Sequence, residues 1–291
     1  MKETKIKKTV RTRYANIAKQ SSSCCTPAPS SSCCGSSTPS TLNDIKDKSK
    51  NISKKIGYSD ADLQSVPEES NLGLGCGNPI ANSAIQKGDT VLDLGSGAGF
   101  DCFLASTKVG PEGHIIGVDM TPEMIDKARE NAQQGDYNNV EFRLGEIEHL
   151  PVADQQIDKI ISNCVINLVP DKDQVFQEAY RVLKPGGQIF VSDIVLLRPL
   201  PEIIRNSEDA YVGCVAGAIQ KTAYLQKLRN QGFENITIQK ETSFSTDCVQ
   251  IEAETVEDSK KLTNPELMKD LESAVATSLV SLTISADKPT A

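Results

Sequence analysis

The chain is 291 residues long, with 38% hydrophobic and 24% charged residues, which is enough to bury a substantial core in one large domain with appendages. Its net charge of −8 argues against a general affinity for nucleic acid or anionic membranes, and no run approaches the roughly 18 apolar residues of a bilayer span. The basic start, Met1-Lys-Glu-Thr-Lys-Ile-Lys-Lys8, lacks the apolar stretch of a secretory signal, so the expected location is cytoplasmic.

Residues 1–56 read as a Cys/Ser-rich N-terminal arm. Within it, residues 10–19 have the spacing of a short amphipathic helix. The stretch that follows, 21–37, is too poor in apolar side chains to offset ordering entropy. It is expected to be a mobile tether carrying two vicinal thiol pairs, Cys24/Cys25 and Cys33/Cys34.

From 57 to 195 strand and helix alternate. Thr90–Leu94 is an apolar strand that runs into a Gly-rich turn and a helix over 100–108. His114–Asp119 is a second strand, followed by a helix over 122–133 with proline in its first turn. Val140–Leu144 is the third strand, 159–162 the fourth, and 171–183 a helix. Lys184-Pro-Gly-Gly187 is expected to be a tight turn into a fifth strand, 188–193. Such alternation predicts a parallel sheet covered by helices on both faces. Over 196–291 the alternation weakens: 223–230 is helical, 235–240 and 278–285 are strands, and the region supplies closing strands and a small cap.

Three motifs fall at the carboxyl ends of the first three strands, where open α/β sheets bind ligands. In Val91-Leu-Asp-Leu-Gly-Ser-Gly-Ala-Gly99, an acid, Asp93, is followed by Gly95, Gly97 and Gly99, which permit a sharp turn and close backbone approach. A dinucleotide fingerprint would place its third glycine at position 100, which is Phe100. The spacing resembles the first motif of class I S-adenosylmethionine (SAM) methyltransferases, an α/β class with a Rossmann-like sheet. Asp119, about 20 residues beyond Gly99, stands where an acid meets ribose hydroxyls in such sheets. Leu144-Gly-Glu-Ile-Glu-His-Leu-Pro151 resembles the adenine-reading segment, which makes Glu146 and the Ile147 backbone candidates.

Nine cysteines in a reducing compartment point to soft-ion binding or redox chemistry. Cys164 ends the fourth strand, Cys214 follows the fifth by about 20 residues, and Cys76 lies just before the first. All three stand at the mouth of the predicted cofactor site. Thiolates favour thiophilic centres. Zinc prefers four ligands with short spacings, whereas the gaps here are 88 and 50 residues and no C-x2-C occurs. Trivalent arsenic, three-coordinate with a lone pair, fits three sulfurs. Cys102 and Cys248 are expected to be ordinary small hydrophobes, and His114 and His149 structural or solvent-exposed.

Taken with the Cys-rich arm, the segments Gly73-Leu-Gly-Cys-Gly-Asn-Pro79, Gly117-Val-Asp-Met-Thr-Pro-Glu-Met124, Ser162-Asn-Cys-Val-Ile-Asn-Leu168 and Gly213-Cys-Val-Ala-Gly-Ala218 resemble the arsenite methyltransferase family, particularly its prokaryotic branch. The resemblance covers roughly residues 10–220, and the Asn-Cys-Val-Ile-Asn-Leu segment is its most diagnostic part. It implies a SAM-dependent enzyme of arsenic detoxification acting on arsenite or methylarsenite. Cys164 and Cys214 would hold arsenic, with Cys76 as third ligand. Met120 and Asn163 would join the cofactor residues, and 196–291 would supply the lid of the arsenic site. It further implies a disulfide between Cys76 and one of Cys24, Cys25, Cys33 or Cys34, reset by thioredoxin or glutathione. Leu74 stands where eukaryotic relatives carry an aromatic residue. The alternatives are a quinone- or sterol-type carbon methyltransferase and a non-catalytic metalloid-binding protein. Neither accounts for both the cofactor motifs and the three mouth cysteines.

Overall fold

A computed structural model of the chain describes residues 3–20, 42–243 and 265–290. Cys24, Cys25, Cys33, Cys34 and Cys248 lie outside the described residues. Among those described, seven strands form one sheet: β1 Thr90–Leu94, β2 His114–Asp119, β3 Val140–Leu144, β4 Ile157–Asn163, β5 Leu183–Leu196, β6 Glu234–Ser243 and β7 Leu279–Asp287. Their spatial order is β3-β2-β1-β4-β5-β7-β6. The first five are parallel, and β7 runs antiparallel between β5 and β6. The order reverses between β1 and β4, which is the crevice where sheets of this kind hold ligands.

Alternating side chains explain why the sheet is covered twice. Leu92, Leu94, Ile116, Val118 and Ile160 enter one core with Val175 and Phe176 of helix α6 (Lys172–Val182) and Tyr224 and Leu228 of α9 (Lys221–Asn230). Val91, Ile115 and Ile161 enter the other, with Cys102 and Phe103 of α4 (Phe100–Val109) and Ile125 and Ala128 of α5 (Pro122–Gln134). This period of two, hydrophobic on both faces, marks central parallel strands.

A third apolar cluster lies apart from both, and it contains the sequence-predicted thiols. It joins Ile6 and Val10 of α1 (Glu3–Gln20) with Cys76, Leu168, Ile194, Cys214, Val215 and Val275, the last from α10 (Pro265–Ser278). The short helices α7 (Glu202–Arg205) and α8 (Glu208–Val212) close it from the side.

The expected turn at Lys184-Pro-Gly-Gly187 is instead the opening of β5. Leu183 pairs with Ile157, the register then shifts, and the Gly186 N–H donates to the Lys288 carbonyl at 2.9 Å. The Pro-Gly-Gly signal marks this irregularity rather than a break in the strand. The helix expected over 10–19 begins at Glu3. A further helix, α2 (Leu42–Ile56), occupies residues assigned to the arm. It is tied down by polar contacts: Ser53 donates to Asn71 at 2.9 Å, and Lys46 and Lys50 both pair with Glu68. A short helix, α3 (Asp60–Gln64), carries a reciprocal cap between Ser59 and Asp62. No described helix is long and apolar enough to cross a membrane.

Candidate active site

A cavity of about 1120 Å³ opens at the carboxyl ends of β1, β2 and β4. That is at or above the upper end of the ~300–1,000 Å³ usual for small-molecule sites. Asp93, Gly95, Gly97, Asp119, Met120, Ile147 and Asn163 all line it, and so do Cys76, Cys164 and Cys214. The expected cofactor side and the expected thiol side therefore face a single space.

On the cofactor side the chain turns sharply after β1. Gly97 holds φ +51 with open space where a Cβ would stand, and its N–H donates to Asp119 at 3.0 Å. The other Asp119 oxygen accepts from the Thr121 N–H at 2.8 Å. Backbone N–H groups of Gly97, Met120 and Thr121 thus orient the acid at the cavity wall. Ser96 Oγ, which is buried beside this turn, has no hydrogen-bond partner among the described residues. Gly99 does not line the cavity; it precedes α4 at φ +94, where a Cβ would strike Phe103 and Phe142.

Glu146 lies elsewhere than expected from the adenine-reading motif. It pairs with Lys7 at 2.8 Å and Arg11 at 3.3 Å, both on α1, and does not line the cavity. Ile147 and Glu148 line it instead. The same Lys7 reaches Glu148 at 2.8 Å, so α1 is fastened to the loop after β3.

One further carboxylate on this side escaped the sequence reading. Asp101, in the first turn of α4, accepts from Tyr58 Oη at 2.6 Å and from Asn163 Nδ2 at 3.2 Å. Burial raises it to about 6. Burial, and then the charge of Asp101, hold Asp93 well above the ordinary carboxylate range. Cys102 is not merely a packing residue, because its thiol donates to Asp93 at 3.2 Å.

The thiol side is assembled from three loops. Cys164 directly follows β4 at φ +60, and its N–H donates to the Ser192 carbonyl of β5 at 2.8 Å. Cys214 follows α8 at φ +64, and its thiol donates to the Cys164 carbonyl at 2.8 Å. Left-handed backbone at two non-glycine residues is costly, and it persists where surrounding contacts dictate it. Cys76 is placed by its N–H, which donates to Asn163 Oδ1 at 3.0 Å, and by its carbonyl, which accepts from Ser281 at 2.6 Å. Its thiol shares the Ser192 carbonyl at 3.4 Å.

Cys164 is in side-chain contact with both Cys76 and Cys214. The Cys76 and Cys164 sulfurs and a carboxylate oxygen of Asp193 lie within 4.8 Å of one another. Burial raises the Cys76 thiol. Contact with Cys164, then burial, raises that of Cys214. For Cys164 the contact with Cys214 acts downward, but Cys76 and burial outweigh it. Asp193, on β5, is 1% exposed and is pushed by burial to about 7. An acid inside the apolar run of β5 was the available signal for it. Neither histidine lines the cavity, and His114 sits beside Glu141 at the surface.

Residues 85–232 match the family model described as a methyltransferase domain. With the strand order and the β1–α4 turn, this defines a class I SAM-dependent methyltransferase fold. An arsenic(III) SAM methyltransferase structure from Chlamydomonas reinhardtii is 31% identical, covering 83% of this chain and 74% of that one with a TM-score of 0.61. The arsenite methyltransferase of Halobacterium salinarum is 50% identical over 234 residues, 79% of this chain and 57% of that protein. The human enzyme of the same name is 43% identical over 170 residues, 54% and 44% of the two chains. The chain belongs to the arsenite methyltransferase family. It spans about half the length of the curated relatives it matches. The residues around the β1–α4 turn fit a SAM cofactor: an oriented carboxylate, Asp119, and an open glycine, Gly97, line the cavity together.

Proposed function

We propose that this chain transfers methyl groups from SAM to trivalent arsenic held by Cys76, Cys164 and Cys214. One observation carries the reading: three cysteines, separated by 88 and 50 residues in sequence, line the same cavity as Asp93, Gly97 and Asp119. Arsenite binds by exchange, each thiol displacing a hydroxyl as water. No general base is needed at the acceptor, because three-coordinate arsenic already carries its lone pair. Bound SAM supplies an electrophilic sulfonium methyl. The chain contributes alignment, holding acceptor and donor in one walled space, and alignment alone accounts for large rate factors. Asp119 and the turn at Gly97 hold the nucleoside end, and the thiol loops hold the acceptor.

Methylation oxidises arsenic from the trivalent to the pentavalent state, and restoring it takes two electrons. Two thiols closing to a disulfide release two electrons and two protons. Cys76, with one of Cys24, Cys25, Cys33 or Cys34, is the proposed pair, and thioredoxin or glutathione the proposed reductant.

The test is methyl transfer from labelled SAM to arsenite by Cys164→Ser and Cys214→Ser. Each variant is expected to lose transfer while still binding SAM. Transfer retained in either one rules the assignment out.

A further inference from the structure

We propose that Tyr14, on α1, is a positioning residue for the arsenic site, its hydroxyl donating to the sulfur of Cys214. This rests on the arsenic reading above and adds a residue to it. Tyr14 stands 200 positions from Cys214, on a helix outside the methyltransferase sheet, yet it lines the same cavity and packs in the same cluster as the three thiols. In the free protein its hydroxyl donates to the Val212 carbonyl at a long 3.4 Å, two residues before Cys214, and the Cys214 side chain stands beside it as the neighbouring acceptor.

The sulfur's bonding explains what the contact does. Without substrate, the Cys214 thiol uses its proton on the Cys164 carbonyl at 2.8 Å. When the thiol displaces a hydroxyl from arsenic, a sulfur–arsenic bond forms, an arsenic–oxygen bond breaks, and the thiol proton leaves with the hydroxyl as water. The sulfur can then no longer donate to Cys164. It becomes an acceptor only, carrying partial negative charge in a site shielded from water. A phenol keeps its proton at neutral pH, so Tyr14 is the donor placed to meet that sulfur. The hydrogen bond fixes the direction of the remaining sulfur lone pairs and so the place where arsenic sits.

The helix that carries Tyr14 is itself held to the cofactor side. Lys7 pairs with Glu146 and Glu148 after β3, and Lys19 with Glu123 of α5 at 2.9 Å. Lys5 pairs with Glu208, the first residue of α8, whose other end leads through Gly213 to Cys214. The hydroxyl therefore reaches the acceptor cysteine from an element clamped to both halves of the cavity.

The experiment titrates arsenite into the full chain, following sulfur-to-arsenic charge-transfer absorption, in wild type, Tyr14→Phe, Cys214→Ala and the double variant. SAM affinity is measured alongside by calorimetry. Loss of a hydrogen bond to a charged or polarised sulfur corresponds to about a tenfold fall in arsenite affinity for Tyr14→Phe. A changed absorption band, a raised KM for arsenite and unaltered SAM affinity are expected with it. In the Cys214→Ala background, Tyr14→Phe is expected to add nothing, since its acceptor is gone. Wild-type arsenite affinity in Tyr14→Phe overturns the proposal, as does an equal loss in both backgrounds, which would mark Tyr14 as packing only. Absence of any arsenite band in the wild-type chain overturns the arsenic reading itself, and this proposal with it.

Discussion

Replacing Asp193 by asparagine changes a buried charge and little else. Oδ1 accepts from Asn167 Nδ2 at 2.8 Å and from the Ile194 N–H at 2.9 Å, and an amide oxygen keeps both bonds. Oδ2 accepts from Tyr224 Oη at 3.2 Å, and an amide nitrogen there can donate to the same hydroxyl. In the unfolded chain the acid titrates near 3.8, whereas burial lifts it to about 7 in the folded protein, against the opposing charge of Lys172. A raised acid is neutral in both states at low pH, so its contribution is fully present below the unfolded pKa. It is lost as pH climbs through the folded one. The difference corresponds to about 4 kcal/mol between pH 4 and 7. Urea unfolding of wild type and Asp193→Asn across that window measures it directly. The variant's stability relative to wild type is expected to rise with pH by up to that amount. A difference that stays flat from pH 4 to 7 would show that Asp193 ionises normally and would refute the reasoning.

Gly75→Ala places a Cβ at φ +109 and 2.8 Å from the Asn163 amide, which is pinned by Tyr58, Asp101 and the Gly77 carbonyl. A loss of about 1–3 kcal/mol is expected in urea unfolding, together with weakened SAM binding. Lys7→Ala leaves Glu148, whose side chain is 5% exposed, without its cation. A fall of about 1–2 kcal/mol is expected in thermal melts, smaller than for a fully enclosed pair because Lys7 is partly exposed. Adding Glu148→Gln is expected to recover much of that loss.

The strands and the glycine turn were legible because local chemistry determines them. Thr90–Leu94 and His114–Asp119 are largely apolar runs and Val140–Leu144 alternates apolar with charged, each ended by an acid or a glycine, and the observed strands have those bounds. Cys164 lines the cavity because it directly follows β4, whereas Cys214 reaches the same cavity from the end of α8. What escaped depends on partners far away in sequence. Residues 3–9 of α1 carry three lysines and name no partner by themselves, but Lys7 meets Glu146 across 139 positions. Glu146, read from its motif as a cofactor residue, is claimed by that helix. Tyr14, Asp101 and Asp193 gave no periodic signal, since their burial comes from loops and helix ends that only the folded chain brings together.

Cys164 and Cys214 both sit in backbone conformations that their own side chains disfavour, held there by the Ser192 carbonyl and by the end of α8. Their sulfurs consequently have settled directions in the free protein, and little rotational freedom is left to give up when a guest arrives. Arsenite, the proposed acceptor, offers almost no apolar area to offset the ordering of its host. On that proposal, a donor set made rigid in advance would let so small a guest be retained, because the entropy of gathering the donors is lost when the chain folds.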